Sequence, residues 1–561
     1  MVGEGVDPQA IALDRCRGAA MLIAMLRPLI AAALLATCPV SALAQTESPT
    51  SIPPALPRPA PMDEALTGAG VEQVQRLMTD GTYTSANITA WYLLRIGQLD
   101  DSYPHINAVI ATFPDAIDQA RRLDTERAAG RIRGPLHGVP VLIKDNIEVA
   151  GLPTTAGSLA LEGVDTGRDA PLIARLREAG AVILGKTNLS EWANIRSGDS
   201  TSGWSMVGGL TRNPHDLSRS ACGSSSGSGA AMAASLAAAT VGTETDGSIV
   251  CPAGTNGIVG FKPTVGLVSR SLVVPISHSQ DTAGSMTASV RDAALLLTVL
   301  AGSDPADTAT AEADTRRSDY AATLSPDGLR GVRIGVMRDR LGDRADIRAL
   351  FEAALEVMRA QGATIVDIAD TRTGFEPLGD MEGDILFTEL KADMAAYLSG
   401  RPGDNGPQTL ADLIAFNRAH PQELRWFDQG LFDLAETKPG LDDAGYIAAR
   451  DSARTLAGPD GIDRLRREHD VTLLVGITNG PAWPIDLVNG DRFVGPSASQ
   501  LPAVAGYPHL TVPMGAVEGL PIGISFIGTR WDDARVLGAG YAYELASRAR
   551  VTPTYRPALQ P

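Results

Sequence analysis

Short apolar stretches alternate with helix-like stretches along most of this chain, and no other feature restricts its fold as strongly. Runs with the length and composition of strands are GVPVLIK (138–144), AVILGKT (181–187), IVGFKPT (258–264), LVSRSLVVPIS (267–277), GVRIGVM (331–337), ATIVDIAD (363–370), VTLLVGI (471–477) and LTVPMGA (510–516). The amphipathic segment DAIDQARRLDTERAAG (115–130) precedes the first run, and PLIARLREAG (171–180) lies between the first two. Strands that alternate with helices in this way form a sheet that is covered by helices.

We therefore expect an α/β fold, a three-layer α/β/α sandwich around a mixed, largely parallel central sheet. The chain has 561 residues, of which 44% are hydrophobic, and this is enough for a large core. A single domain is expected from residue 62 to residue 555. Residues 375–460 are helical and charged in pattern, which predicts a helical insertion or cap over the core.

Residues 1–44 have the pattern of a cleaved export signal. Arg27 precedes the apolar run LIAAALLAT, and an A-x-A cleavage pattern follows, so that Gln45 is the expected mature N-terminus. Because residues 1–20 are unusually polar for a signal, the true start is expected at Met21 or Met25.

The apolar run of this signal is too short to remain as a membrane anchor after cleavage. The Pro/Ser-rich residues 45–61 that follow predict a linker. Together these features predict a periplasmic or secreted protein.

Charge and cysteine content argue against several classes. The formal net charge is −17 and no Lys/Arg cluster is present, so nucleic acid is not an expected partner. The chain has no HExxH or CxxC motif, and we expect neither a metal nor a cofactor.

Cys222 and Cys251 remain after signal cleavage. We expect two free buried thiols, with a disulfide in an oxidising compartment as the alternative.

Two motifs match known patterns but lie in the wrong local context. Gly180–Thr187 matches the P-loop pattern G-x-x-x-x-G-K-[ST], but its central residues Ala-Val-Ile-Leu are themselves strand-like, so nucleotide binding is not expected. Gly223–Gly227 matches the nucleophile elbow G-x-S-x-G. The residues before it are too polar for the buried strand that an elbow requires. Its histidine partner would be one of His278, His420, His469 and His509, none of which lies in a persuasive loop.

Three other stretches carry candidate chemistry. Lys144 ends an apolar run, where a lysine is either ion-paired, for example with Asp145, or functional. Ser224, Ser225 and Ser226 precede an Ala-rich helix, where they would either cap the helix or take part in chemistry. Residues 245–248 form a tight loop that ends at a serine, and such a loop is either a plain turn or a cluster of N–H donors for an oxyanion.

Taken together, these stretches resemble the amidase signature family. GVPVLIKDN resembles its lysine motif, GSSSGSGAA its Gly/Ser motif (usually GSSGGSAA), and GTETDGSIVCPA its nucleophile motif (usually GTDTGGSIRIPA). The resemblance implies that Ser248 is the acyl-forming nucleophile, Ser224 the bridging serine with a cis peptide bond, and Lys144 the base. It also implies an oxyanion hole made by backbone N–H groups of Thr245, Asp246, Gly247 and Ser248.

The chain departs from the usual motif at Glu244, Asp246 and Val250–Cys251, and it is more similar to the peptide amidase branch of the family. This likeness implies hydrolysis of a carboxamide through an acyl-serine, with C-terminal peptide amides as substrates and ammonia as product. Two alternatives remain open: an amidase for aryl, acyl, cyclic or oligomeric amides, and a non-catalytic binding module on the same fold. The oligomeric state is not predicted.

Overall fold

The computed structural model describes residues 60–403 and 406–559. The predicted signal and nearly all of the predicted linker lie outside these residues. The first helix begins at Ala60. The described residues all belong to one compact unit.

The helices follow one another along the whole described chain. They are α1 Ala60–Leu66, α2 Val71–Thr79, α3 Ser85–Leu99, α4 Ala116–Ala128, α5 Pro171–Glu178, α6 Ser226–Ala233, α7 Val250–Thr255, α8 Val290–Leu300, α9 Ala313–Arg316, α10 Ala345–Ala360, α11 Leu378–Ser399, α12 Leu410–Ala419, α13 Gly430–Glu436, α14 Ala444–Ala457, α15 Asp463–Glu468, α16 Gln500–Ala505 and α17 Asp533–Ser547.

The strands form one large sheet and two small ones. They are β1 Val109–Thr112, β2 Pro140–Lys144, β3 Val182–Thr187, β4 Trp204–Ser205, β5 Gly209–Leu210, β6 Arg212–Asn213, β7 Asp216–Ser220, β8 Ala239–Glu244, β9 Val259–Lys262, β10 Thr282–Thr287, β11 Arg333–Met337, β12 Thr364–Ile368, β13 Leu473–Ile477, β14 His509–Val517 and β15 Leu520–Ile527. The large sheet has eleven strands in the order β1-β3-β2-β8-β10-β9-β14-β15-β13-β11-β12, and β4-β5 and β6-β7 form the two-stranded sheets.

The sheet is mixed, and the predicted α/β fold is confirmed. Parallel pairing is less extensive than predicted, because it occurs only in the groups β3-β2-β8 and β13-β11-β12. The other neighbouring pairs are antiparallel. The reason is the connectivity: β14 and β15 are joined by a tight turn at residues 518–519 with no helix between them, and a short connection reverses the chain direction.

Helices pack on both faces of the sheet, as the side chains of β14 show. Gly540 of α17 lies so close to Leu510 of β14 that a side chain at position 540 would clash, since its Cβ atom would be 2.2 Å from Leu510. Helix α17 therefore packs directly on Leu510. A Cβ added at Gly523 of β15 would lie 2.4 Å from the hydroxyl of Thr511 and 3.3 Å from Gly254 of α7. Since neighbouring residues of a strand point to opposite faces, α17 and α7 lie on opposite sides of the sheet.

The region predicted as a helical insertion contains α11 to α14. Leu390, Leu410 and Phe432 of these helices form an apolar cluster with Trp192 and Val274, which belong to loops of the main fold. The helical region therefore covers loops on the side of the sheet where β2 ends.

Two expectations for individual stretches have different outcomes. The P-loop-like stretch is strand β3, as its apolar residues predicted. The stretch 267–277 is not a strand of any sheet: Val273 forms only an isolated bridge with Ile147, and Arg270 is held by Asp307. Val273, Val274 and Ile276 line a cavity, whereas Leu267 and Val268 are buried in the main hydrophobic core. Among the described helices, none combines the length and the apolar character that crossing a membrane requires.

Candidate active site

Lys144 is the last residue of β2, in the interior of the sheet between β3 and β8. β2 and β8 are parallel, so their carboxyl ends meet at the same edge, where ligand sites of α/β sheets commonly form. The side chain of Lys144 is fully buried, and its Nζ lies 2.8 Å from both Ser224 Oγ and Thr243 Oγ1. Burial lowers the pKa of Lys144 to about 7, against the opposing fields of Asp281 and Glu244.

The alternative role of Lys144, an ion pair with Asp145, is wrong. Asp145 is paired instead with Lys186 of β3, at 2.8 Å, and both side chains are buried. Lys144 forms no ion pair with a carboxylate in the described part of the chain. Since the fields of Asp281 and Glu244 offset only part of the cost of burying its charge, the neutral amine is favoured above about pH 7.

The Gly/Ser loop brings Ser224 to Lys144. The peptide bond between Gly223 and Ser224 is cis, and Ser224 is fully buried. Ser225 is the residue before α6, but its side chain makes no capping hydrogen bond. Its hydroxyl donates to Thr243 O at 3.0 Å, and its N–H donates to Ser248 O at 3.1 Å. Helix capping therefore does not explain Ser225, which joins this loop to β8 and to the loop of Ser248.

Ser248 lies in the tight loop between β8 and α7. Gly247 has φ of +79°, a conformation that glycine adopts without strain, and this turns the chain just before the serine. Glu244, the last residue of β8, accepts hydrogen bonds from the N–H groups of Ile249 (2.7 Å) and Val250 (3.0 Å) at the start of α7. Glu244 thus closes the loop, and its departure from the usual aspartate has a structural role.

The predicted oxyanion donors have different surroundings. The N–H groups of Thr245, Asp246 and Ser248 donate to no acceptor within residues 60–403 and 406–559. Burial raises the pKa of Glu244. The N–H of Gly247 is directed at the Glu244 carboxylate and lowers this pKa by a smaller amount. Three of the four predicted donors are therefore free to receive an oxyanion, and Gly247 is the weakest candidate.

Ser224 and Ser248 line the same narrow cavity, which has a volume of about 10 Å³, about the room that one water molecule takes. Its other lining residues are Asn146, Ala193, Thr243, Thr245, Arg270, Val273, Val274, Ile276, Asp281, Thr282 and Ala283. Ser248 is 9% exposed, whereas Ser224 and Lys144 are fully buried, so Ser248 is the most accessible of the three predicted catalytic residues.

Asp281 connects the Ser248 loop to residues 270–280, which line the cavity in part and are called the cavity-covering loop below. Its carboxylate accepts from Thr245 Oγ1 at 2.6 Å and from the N–H groups of Ile276 and Ser277 at 2.8 and 2.9 Å. Burial raises the pKa of Asp281 to about 6, against these hydrogen bonds. Sequence reasoning missed this residue, because it lies outside the three motifs.

Asp246, where the family usually has glycine, is partly buried and lies beside a second acid. Burial and the charge of Glu382 on α11 raise the pKa of Asp246 well above its usual value. Glu382 is also buried and accepts from Gln280 at 2.9 Å and from Gln500 at 3.0 Å. The departure at Asp246 therefore places an acid pair between the Ser248 loop and the helical region.

Cys222 and Cys251 form a disulfide bond, and the expectation of two free thiols is wrong. The residues are 29 apart in sequence, but the fold brings their Cα atoms to 6.0 Å. Cys222 lies two residues before Ser224, and Cys251 three residues after Ser248. The disulfide therefore ties together the two loops that carry the serines.

The nucleophile-elbow alternative has no support in the geometry. The strand before the Gly/Ser motif, β7, belongs to a two-stranded sheet and not to the large one. His509 is buried against Ser525, at 2.6 Å, and His278 is bound to Asp393 at 2.9 Å. Neither histidine lines the cavity that Ser224 and Ser248 share.

His278, Glu389 and Asp393 are close enough to hold a metal ion. Their hydrogen bonds account for this grouping, because Tyr446 and Ser277 donate to Glu389 while His278 binds Asp393. The cluster fastens the cavity-covering loop to α11.

The comparison with known families fits this geometry. A model of the Amidase family matches residues 88–537. The chain belongs to this family. It is an amide-hydrolysing enzyme.

Three relatives show how widely this amidase shares its fold and sequence. A solved structure of a native peptide amidase from Stenotrophomonas maltophilia is 50% identical, with a TM-score of 0.83, over 87% of this chain and 98% of that one. A probable amidase from Arabidopsis thaliana is 36% identical over 87% of this chain and 91% of its own length. A glutamyl-tRNA(Gln) amidotransferase subunit from Chloroflexus aurantiacus is 37% identical over 84% of this chain and 96% of its own length.

Proposed function

We propose that this amidase hydrolyses primary carboxamides, in particular C-terminal amides of peptides, through an acyl intermediate on Ser248, and releases ammonia. The observation that carries the proposal is the 2.8 Å contact between Lys144 Nζ and Ser224 Oγ, beside a cavity that Ser224 shares with Ser248. A buried neutral amine next to a serine relay is what a weak hydroxyl nucleophile requires.

In the acylation step, Ser248 Oγ attacks the carbonyl carbon of the amide. Its proton passes to Ser224 Oγ while the proton of Ser224 passes to neutral Lys144. The carbonyl oxygen gains negative charge, and the N–H groups of Thr245, Asp246 and Ser248 are free to stabilise it. Ser224 then protonates the nitrogen, recovering a proton from Lys144. The C–N bond breaks and ammonia leaves.

Deacylation follows the same path with water as the nucleophile. Water attacks the ester carbonyl of acyl-Ser248 and gives its proton through Ser224 to Lys144. The ester C–O bond breaks, Ser248 Oγ regains a proton, and the carboxylic acid leaves. The same base thus serves twice, because Lys144 returns to its neutral form after each step.

Peptide amides are favoured as substrates by the comparisons and by the predicted location. The peptide amidase from S. maltophilia shares 50% of its residues with this chain, compared with 37% for the amidotransferase subunit. An exported enzyme would meet peptides but not the cytoplasmic partners of tRNA-dependent amidation. The disulfide between Cys222 and Cys251 supports export, since disulfides persist in oxidising compartments.

N-terminal sequencing tests export. The mature protein should begin at or near Gln45, and retention of residues 21–44 on soluble, active enzyme would contradict export.

Product release from matched substrates tests the proposal, with ammonia measured for the primary amides and aniline for the anilide. The panel contains a peptide amide, a simple aliphatic amide and the anilide of the same peptide, with Ser248→Ala as the control variant. We expect the peptide amide to have the highest kcat/KM and the variant to lose several orders of magnitude in kcat. Preference for the anilide would favour an aryl amidase, and near-normal activity of Ser248→Ala would remove Ser248 as the nucleophile.

A further inference from the structure

Asn146 has a buried polar atom that no contact of the site uses. It lies two residues after Lys144, is 3% exposed, and lines the cavity with Ser224 and Ser248. Its Nδ2 donates to Thr243 Oγ1 at 3.0 Å. Its Oδ1 is buried and accepts no hydrogen bond from the described residues. Buried polar atoms are normally paired, so an unpaired acceptor in the wall of a substrate cavity indicates a donor on the substrate.

The position of Asn146 indicates which substrate group reaches it. Thr243 Oγ1 is 2.8 Å from Lys144 Nζ, which is itself 2.8 Å from Ser224 Oγ. The amide of Asn146 is therefore one hydroxyl group away from the proton relay. In the proposed mechanism the leaving nitrogen must approach Ser224 to receive a proton, so the leaving group is the part of the substrate that enters this side of the cavity.

We infer that Asn146 Oδ1 accepts a hydrogen bond from the leaving NH₂ group and makes Asn146 a specificity-determining residue for amides over esters. The inference rests on the proposed function. A primary carboxamide brings two N–H donors to this place, whereas the leaving oxygen of an ester brings none. A site with a buried acceptor discriminates against the analogue that leaves this acceptor unpaired.

The test compares a peptide amide with the methyl ester of the same peptide, in the wild type, in Asn146→Leu and in Asn146→Asp. Leucine is similar in size and has no acceptor, so the ratio of kcat/KM for amide over ester should fall about tenfold, the effect of one hydrogen bond. Aspartate keeps an acceptor oxygen and can still bind the Thr243 hydroxyl. It is the matched control for the ratio alone, because its charge near Lys144 favours the protonated amine and slows both substrates. The ratio for this variant should stay within about threefold of the wild-type value. Ester turnover serves as the internal reference, because it uses the same Lys144, Ser224 and Ser248.

Each outcome decides one question. An unchanged ratio in Asn146→Leu would overturn the inference. If both activities fall equally, Asn146 acts only through Thr243; if neither falls, Asn146 has no role in turnover. Should Asn146→Leu fail to fold, as judged by circular dichroism, Asn146→Ala gives the same comparison. If the wild type cleaves neither substrate, the proposed function fails; if it cleaves both and the variants keep its ratio, only the inference fails.

Discussion

Replacing Lys144 by methionine should make the enzyme inactive while changing how its stability depends on pH. The ordinary pKa of lysine is 10.5, and burial lowers that of Lys144 to about 7. At about 1.4 kcal/mol for each pH unit, this difference corresponds to about 5 kcal/mol. Methionine has a similar length and no charge, so Lys144→Met removes this cost without leaving a large cavity.

The sign follows from proton binding. Between about pH 7 and pH 10.5 the unfolded chain holds a proton on Lys144 that the folded protein has lost. The free energy of unfolding of the wild type therefore rises with pH across this window, while the contribution of Lys144 is at its most unfavourable below about pH 7. Relative to Lys144→Met, the wild type should gain about 3 kcal/mol between about pH 7 and about pH 9.5.

The assay is urea unfolding of both proteins across this pH range, with Lys186→Met as the control. The loss of hydrogen bonds to Ser224 and Thr243 shifts the Lys144→Met curve by a constant amount, so the pH slope carries the information. Lys186→Met should lose about 3–5 kcal/mol, because it leaves the buried carboxylate of Asp145 without its partner. A constant difference between the wild type and Lys144→Met at all pH values would refute a neutral Lys144.

Three further predictions follow from the site. The kcat/KM for amides should fall below about pH 7, where Lys144 becomes protonated, and a profile that is flat from pH 5 to pH 9 would contradict the assigned base. Asp246→Asn should be more stable than the wild type by an amount that grows as pH rises above about 4, since the raised pKa of Asp246 makes its ionisation in the folded state unfavourable; denaturant curves with the same offset at every pH would contradict this. The double variant Cys222→Ser, Cys251→Ser should lose about 3.5 kcal/mol of stability, from the loop of 29 residues that the disulfide closes, and calorimetry showing an unchanged Tm would disprove a stabilising bridge.

The residues within the three motifs could be predicted from the sequence, because each motif has a fixed local geometry. Lys144 could be placed at the end of a buried strand, and Ser224 and Ser248 in tight loops. The structure brings all three to one edge of the sheet. The ion pair of Asp145 with Lys186 could not be predicted, because it depends on the pairing of β2 with β3.

Features that depend on distant parts of the chain also escaped prediction. The disulfide requires two loops to meet across the fold, and the contact of Asp281 with Thr245 spans 36 residues. The share of antiparallel pairing depends on which connections contain a helix, and the strand pattern is the same for either direction. In the sequence, Asn146 is marked only by its position in the lysine motif, directly after Lys144 and Asp145. Only the structure shows that its partner Thr243 leaves Asn146 Oδ1 unpaired.

Covalent labelling of the active serine tests the central claim most directly. A fluorophosphonate probe reacts with an activated serine hydroxyl by displacing fluoride, and mass spectrometry of the digested protein locates the phosphorus–oxygen bond. The account predicts one labelled residue, Ser248, with labelling lost in Ser248→Ala and strongly slowed in Lys144→Met. Labelling at Ser225 would contradict it, as would labelling of Ser248 that proceeds at the same rate without Lys144.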